Sequence, residues 1–230
     1  MDDITVTAAL LILLPIGFNA LFAGLAVTFD YPGILRRPTA EVLERFRRGG
    51  TRLLLLWWGF AMMPVLLAVL AAILPDALLG ADPTLLGLGI VVGVQAAIVQ
   101  VLGLIRWPFV VPYLARVHAE ADAAPARRDA VEVVFQALHR YLGVAVGEHL
   151  GLLLTGAWSV LVGAAITQTY LLPDWLGVIG VLVGVLLAVC SFEFVGPFER
   201  RGWALAGRLT PIAYGVWSLW LLATGVMLLL

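Results

Sequence analysis

Glu148 and His149 stand side by side in the stretch Gln136 to Ser159, which is otherwise apolar enough to lie in a bilayer. An ionisable side chain in that setting costs about 2.5 to 3.5 kcal/mol on insertion scales, so its retention points to a task. A carboxylate there can carry a proton, bind a cation or pair with a fixed one. Arg106, Arg140 and His139 are the candidate fixed partners by position. Glu148 follows Arg140 by eight residues, about 12 Å along an α-helix. If Arg140 marks the interface, the carboxylate is well inside a hydrocarbon core of about 30 Å. His149 would point about 100° away from Glu148. It reads first as a histidine hydrogen-bonded between helices, with a metal or haem ligand as the sharper alternative.

On an α-helix positions seven apart nearly eclipse, which would align Tyr141, Glu148 and Thr155, with Ser159 one turn further. Gly143, Gly147 and Gly151 make a small-residue ridge beside that line, suited to close helix packing. Gln100 and Asn19, deep in their own helices, read as interhelical hydrogen-bonding groups or, with Thr155 and Ser159, as the lining of a polar cavity. Glu193, near the end of another apolar run, completes the set of candidates. Zinc catalysis typically needs three protein ligands, and haem at least one placed axial histidine. The chain has three histidines, one of them His118 in a polar loop. His149 and Glu148 are therefore weak metal candidates, and no cofactor is expected. There is no P-loop, GxSxG, HExxH or CxxC.

The elements that must carry these residues are membrane helices. The chain is 62% hydrophobic and 13% charged, with a mean hydropathy of +1.03, whereas a soluble domain carries about a quarter charged residues. Runs at 4–29, 53–74, 85–105, 142–166, 175–194 and 211–230 each approach the length a crossing helix needs. They predict an all-α, polytopic transmembrane bundle of six membrane-spanning helices, a single domain over 1–230. All fourteen basic residues are arginine, and all lie in or beside the stretches 30–52, 106–141 and 195–210. The positive-inside rule makes these stretches cytoplasmic and puts both termini outside. Asp2 and Asp3 stand where a signal peptide would be basic, so the first run reads as a retained helix. Cys190, the one cysteine, excludes an internal disulfide.

The arginine-bearing stretches have their own pattern. From Thr39, as N-cap, to Arg48 an apolar face of Val42, Leu43 and Phe46 and the pairs Glu41/Arg45 and Glu44/Arg48 predict a short helix on the membrane surface, stopped by Gly49 and Gly50. Asp129 and Glu132 resemble a capping box opening an amphipathic helix that runs into the fourth crossing. Trp107 and Trp175 fit interfacial aromatic belts, and Pro64 predicts a kink in the second helix. The block Thr28 to Gly33 echoes Ser191 to Gly196, each followed by an arginine pair, Arg36/Arg37 and Arg200/Arg201. Such an echo is what a duplicated helix hairpin would leave.

The run Tyr31, Pro32, Ile34, Leu35, Arg36, Pro38, the group Arg106, Trp107, Phe109, Pro112, and above all Phe135 to Gly151 resemble a prokaryotic membrane family known as domain of unknown function 4386. The resemblance spans nearly the whole chain. It implies a small multi-pass membrane protein and supplies no activity, substrate or catalytic residue. Two functional classes stay open. One is a small-solute or proton-linked transporter or ligand-binding membrane protein using Glu148. The other is a metal- or haem-dependent membrane enzyme or redox protein using His149, His139, Glu148 and Glu193; a structural or regulatory membrane partner is the plainer reading. The expected partner is the lipid bilayer of the cytoplasmic membrane, with anionic headgroups at the arginines. Nucleic acid is not indicated, because orientation accounts for the arginines and no aromatic platform accompanies them.

Overall fold

The computed structural model describes residues 3–120 and 124–230, so Asp2 of the acidic N-terminus lies outside the described residues. Its helices are α1 (Asp3–Phe29), α2 (Thr39–Ile73), α3 (Pro83–Leu104), the short α4 (Arg106–Phe109), α5 (Val111–Ala119), α6 (Pro125–Leu138), α7 (Gly151–Ile166), α8 (Asp174–Cys190) and α9 (Ala204–Met227). A π-helix, His139–Leu150, joins α6 to α7. Six continuous helical stretches are long and apolar enough to cross a membrane: Ile4–Phe29, Thr39–Ala77, Pro83–Ala119, Pro125–Ile166, Asp174–Phe194 and Ala204–Met227. The protein is an all-α, multi-pass membrane protein. The second, third and fourth stretches exceed their apolar runs at the arginine-bearing end, where amphipathic segments prolong the helices.

The crossing helices pack as a ring in chain order, α1 to α2, α2 to α3, α3 to α7, α7 to α8, α8 to α9 and α9 back to α1. Neighbours run antiparallel. Asn19 donates to the Ser218 hydroxyl at 3.0 Å, and the Ala8 carbonyl lies where a side chain on Gly225 would begin. Both ends of the chain are therefore at one end of the ring. Lipid tails give helices no hydrophobic reason to associate, so close packing has to do it. Between α7 and α8 a Cβ added at Gly156 would lie 2.5 Å from the Gly184 carbonyl oxygen, and one at Gly163 would lie 2.6 Å from that of Gly177. In the half of the ring nearer the termini, Trp158, Trp217 and Trp220 fill the interior, with ring centroids 6.2 to 6.4 Å apart.

At the arginine-bearing end the amphipathic segments bury one another. Val42, Leu43 and Phe46 of α2 pack with Trp107, Val111 and Leu114 and with Val131 and Phe135 of α6. This corrects the expectation of a helix lying on lipid: protein covers its apolar face. Three local readings change with it. Thr39 is the first helical residue, not the cap; Pro38 precedes it, and its hydroxyl accepts from Gln136 Nε2 at 2.6 Å. Helix α6 begins at Pro125, so Asp129 sits a turn inside it. Trp107 is 1% exposed and stacked on Trp57 at 4.3 Å, so it belongs to the core and not to an interfacial belt. Helix α2 also contains Pro64, and its backbone leaves helical conformation at Gly50, where φ is 57° and ψ is -153°.

Candidate functional site

The π-helix carries His139, Arg140, Glu148 and His149 of the candidate residues. Its turns close on the fifth residue back instead of the fourth, which is uncommon over more than one turn and recurs at functional sites. The wider turn removes the seven-residue eclipse expected of an α-helix. Tyr141 is accordingly 67% exposed on the outside while Thr155 is fully buried inside. Each π residue also rises less, so Glu148 lies nearer the arginine-bearing end than α-helical spacing gives.

The three glycines of this segment meet α3 and α4 in register. Gly151 faces Gln100, Gly147 faces Gly103 and Gly143 faces Arg106. A Cβ at Gly143 would stand 2.5 Å from Arg106 Nη2, so the missing side chain is the space the guanidinium occupies. Arg106, 7% exposed, donates through Nη1 to the Gly103 carbonyl and lies 3.2 Å through Nη2 from His139 Nδ1. Its guanidinium carbon is 5.3 Å from the centre of the Trp107 ring. No carboxylate is within ion-pairing distance of this buried cation among the described residues.

Glu148 follows Gly147, the glycine packed on Gly103 of α3. It is half-buried, and no hydrogen bond or salt bridge joins it to another described residue. The charged groups that act on it are Arg106, Glu193 and Arg36. Tyr31, in the turn after α1, shares this environment. Burial raises its phenol pKa, the Glu148 carboxylate raises it further and the Arg106 guanidinium opposes. Tyr214 of α9 feels Glu148 as well. Aromatic rings pack on one another here: Phe18 lies 4.8 Å from Phe60 and 5.9 Å from Tyr214, and Tyr31 lies 5.1 Å from Trp57. Trp57 Nε1 is buried without an acceptor, the one such side-chain polar atom among the described residues.

The other candidates lie elsewhere. His149 turns away from Glu148 and places Nδ1 2.8 Å from the Ser191 carbonyl oxygen, against the Phe192 ring. Gln100 donates to Thr155 at 2.9 Å, Ser159 to the Thr155 carbonyl at 2.8 Å, and Trp217 Nε1 to Ser159 at 2.9 Å. These buried groups satisfy one another across α3, α7 and α9. Asn19 ties α1 to α9 through Ser218, apart from Glu148. Arg140 pairs with Glu199 at 2.7 Å, outside the ring. Glu193 sits in the turn after α8, its carboxylate against Gly207. No three His, Cys, Asp or Glu side chains come together to hold a metal among the described residues. Tyr31, Tyr214, Arg36 and Trp57 were not among the sequence candidates; for Tyr31 the available signal was its place at the head of the block Tyr31 to Pro38.

The family model described as "Domain of unknown function (DUF4386)" matches residues 6–225. Comparison with curated proteins and with solved structures gives no match.

Proposed function

The chain thus belongs to the DUF4386 family, and since that description carries no activity, we propose from the chain's own residues that it is a proton-linked small-solute transporter with Glu148 as its titrating group. The observation that carries this reading is a carboxylate on a membrane-spanning helix with no hydrogen-bonded or ion-paired partner among the described residues, within the electrostatic reach of the buried Arg106. A structural ion pair would bring Glu148 and Arg106 into contact, and they are not in contact. Trp158, Trp217 and Trp220 fill the ring toward the termini, so passage to that side requires the ring to rearrange. The membrane is the cytoplasmic membrane of a prokaryote, with the arginine-rich end inside. Arg36, Arg52, Arg200, Arg201 and Arg208, which form no ion pair among the described residues, meet anionic lipid headgroups there.

The test is a pH titration of tryptophan fluorescence on detergent-purified protein, wild type beside Glu148→Gln. Trp57 packs on Tyr31, on which Glu148 acts electrostatically. The reading expects a pH-dependent change in the wild type that the variant lacks while melting at a similar temperature. A variant that titrates like the wild type would rule Glu148 out as the working group, and one that no longer folds would favour a structural role for it.

A further inference from the structure

Helix α3 has two faces with different surroundings. The inner one packs into the ring: Gly93 lies against Trp158 and Ala71, Ala97 is buried, and Gln100 donates to Thr155. The outer one carries Thr84, Leu88, Val91, Gln95, Ile98 and Leu102, all exposed, with 47 to 54% of each apolar residue uncovered. Lipid tails solvate leucine, valine and isoleucine without loss. They cannot do so for Gln95, whose amide holds two donors and an acceptor and makes no hydrogen bond to any described residue. Gln95 comes twelve residues after Pro83 and nine before Leu104, about 18 and about 14 Å at 1.5 Å per residue. That puts it near the middle of a hydrocarbon core of about 30 Å, out of reach of water. An amide left unpaired in hydrocarbon is costly.

We propose that this face of α3 docks against the same face of a second copy of the chain, with Gln95 hydrogen-bonded to Gln95 across a two-fold axis. Every copy is inserted the same way round, because its arginines orient it. Two α3 helices that meet in one membrane are therefore parallel, and a two-fold axis along the membrane normal sets each residue of the face opposite its own counterpart. Self-pairing of that kind requires a side chain that both donates and accepts. A carboxamide does both, and two of them satisfy each other. The six outer residues recur at intervals of four and three, the spacing of a seam between helices crossing at about 20°. At about 100° per residue they fall within an arc of about 80°. Val91 and Ile98 close the seam on either side of the amides, and one polar residue in an apolar seam fixes its register and the number of helices that share it. The dimer does not rest on the transport reading and makes no use of Glu148.

The experiment uses the full chain in a Cys190→Ala background, reconstituted into liposomes at graded protein-to-lipid ratios. Val91→Cys and Ile98→Cys are oxidised with copper phenanthroline beside Leu182→Cys and Leu13→Cys, whose native side chains are 65% and 58% exposed on α8 and α1. Dissociation of the dimer is read from energy transfer between copies labelled at Tyr170→Cys. The first two cysteines should cross-link copy to copy and the last two should not. Gln95→Leu should raise the dissociation constant about 3- to 30-fold, the range for an interhelical hydrogen bond in a membrane. Its melting temperature as a monomer should not fall, since Gln95 has no partner in its own chain. Ile98→Trp, which adds bulk to the seam, should abolish cross-linking through Val91→Cys. A monomer at every ratio would overturn the proposal, as would a dimer that cross-links through Leu182→Cys or Leu13→Cys in preference to the seam. A dissociation constant unmoved by Gln95→Leu would show that the amides do not meet and would also overturn it. Cross-linking of Val91→Cys in native membranes to a different protein, and not to a second copy, would overturn the choice of partner.

Discussion

A charge in hydrocarbon is conspicuous because it is expensive, and that is why Glu148 stood out before any coordinates, with Arg106 entering only as a candidate fixed partner by position. Tyr31 and Tyr214 were not, because a tyrosine near a helix end is ordinarily an interfacial anchor, and only the fold turns these two inward. The contact between Gly143 and Arg106 was half legible: the glycine ridge was visible, but not what it makes room for. Gly143→Ala should displace the guanidinium and cost about 1 to 3 kcal/mol, the usual range for overpacking, offset in part by alanine's better helix propensity. Combined with Arg106→Leu, the alanine should lose most of its effect, giving a coupling energy in a double-mutant cycle followed by thermal unfolding. Additive effects would mean that the two residues do not share the space described. Trp217→Phe removes the donor to Ser159 and should cost about 1 kcal/mol without altering the pH response of Glu148.

At the scale of elements, the crossing helices were legible from apolar length, and the π-helix was not. Glycines four apart lie near one face on either kind of turn, so the ridge did not distinguish them, and an α-helical period misassigned Tyr141 to the inner stripe. The apolar face of Val42, Leu43 and Phe46 was read correctly and its covering was not, because amphipathicity shows that a face is buried but not against what. Close helix contact predicts a contrast between glycines. Gly156→Ala should lower the melting temperature because its Cβ meets the Gly184 carbonyl, whereas Gly87→Ala, with open space around it, should leave it unchanged or raise it. Helix α3 also carries a pH-dependent cap. Asp82 accepts from the Thr84 amide at 2.6 Å, and that bond holds its carboxyl below the usual carboxylate range. The cap's contribution is complete above the unfolded pKa of about 3.9 and is lost as pH falls through the lower folded value. Asp82→Asn keeps an acceptor that does not titrate, so its loss of thermal stability on acidification below about pH 4 should be smaller than in the wild type.

For the whole molecule, the partition of fourteen arginines carried most of the information, because charge placement follows topology with little dependence on packing. A cysteine at Tyr170, which is 78% exposed between α7 and α8, should react with an impermeant thiol reagent on intact cells in a Cys190→Ala background. One at Ala126, exposed at the start of α6, should react only after the membrane is opened. The opposite pattern would invert the proposed orientation. The central claim, however, is that the ring encloses a carboxylate able to hold a proton within the membrane. It is tested most directly by acid-induced infrared difference spectra of reconstituted protein, wild type beside Glu148→Gln. The account predicts a protonated-carboxyl C=O band that appears in the wild type as pH falls and is absent from the variant. A band that survives in Glu148→Gln, or a wild type that shows none across the range in which it stays folded, would contradict it.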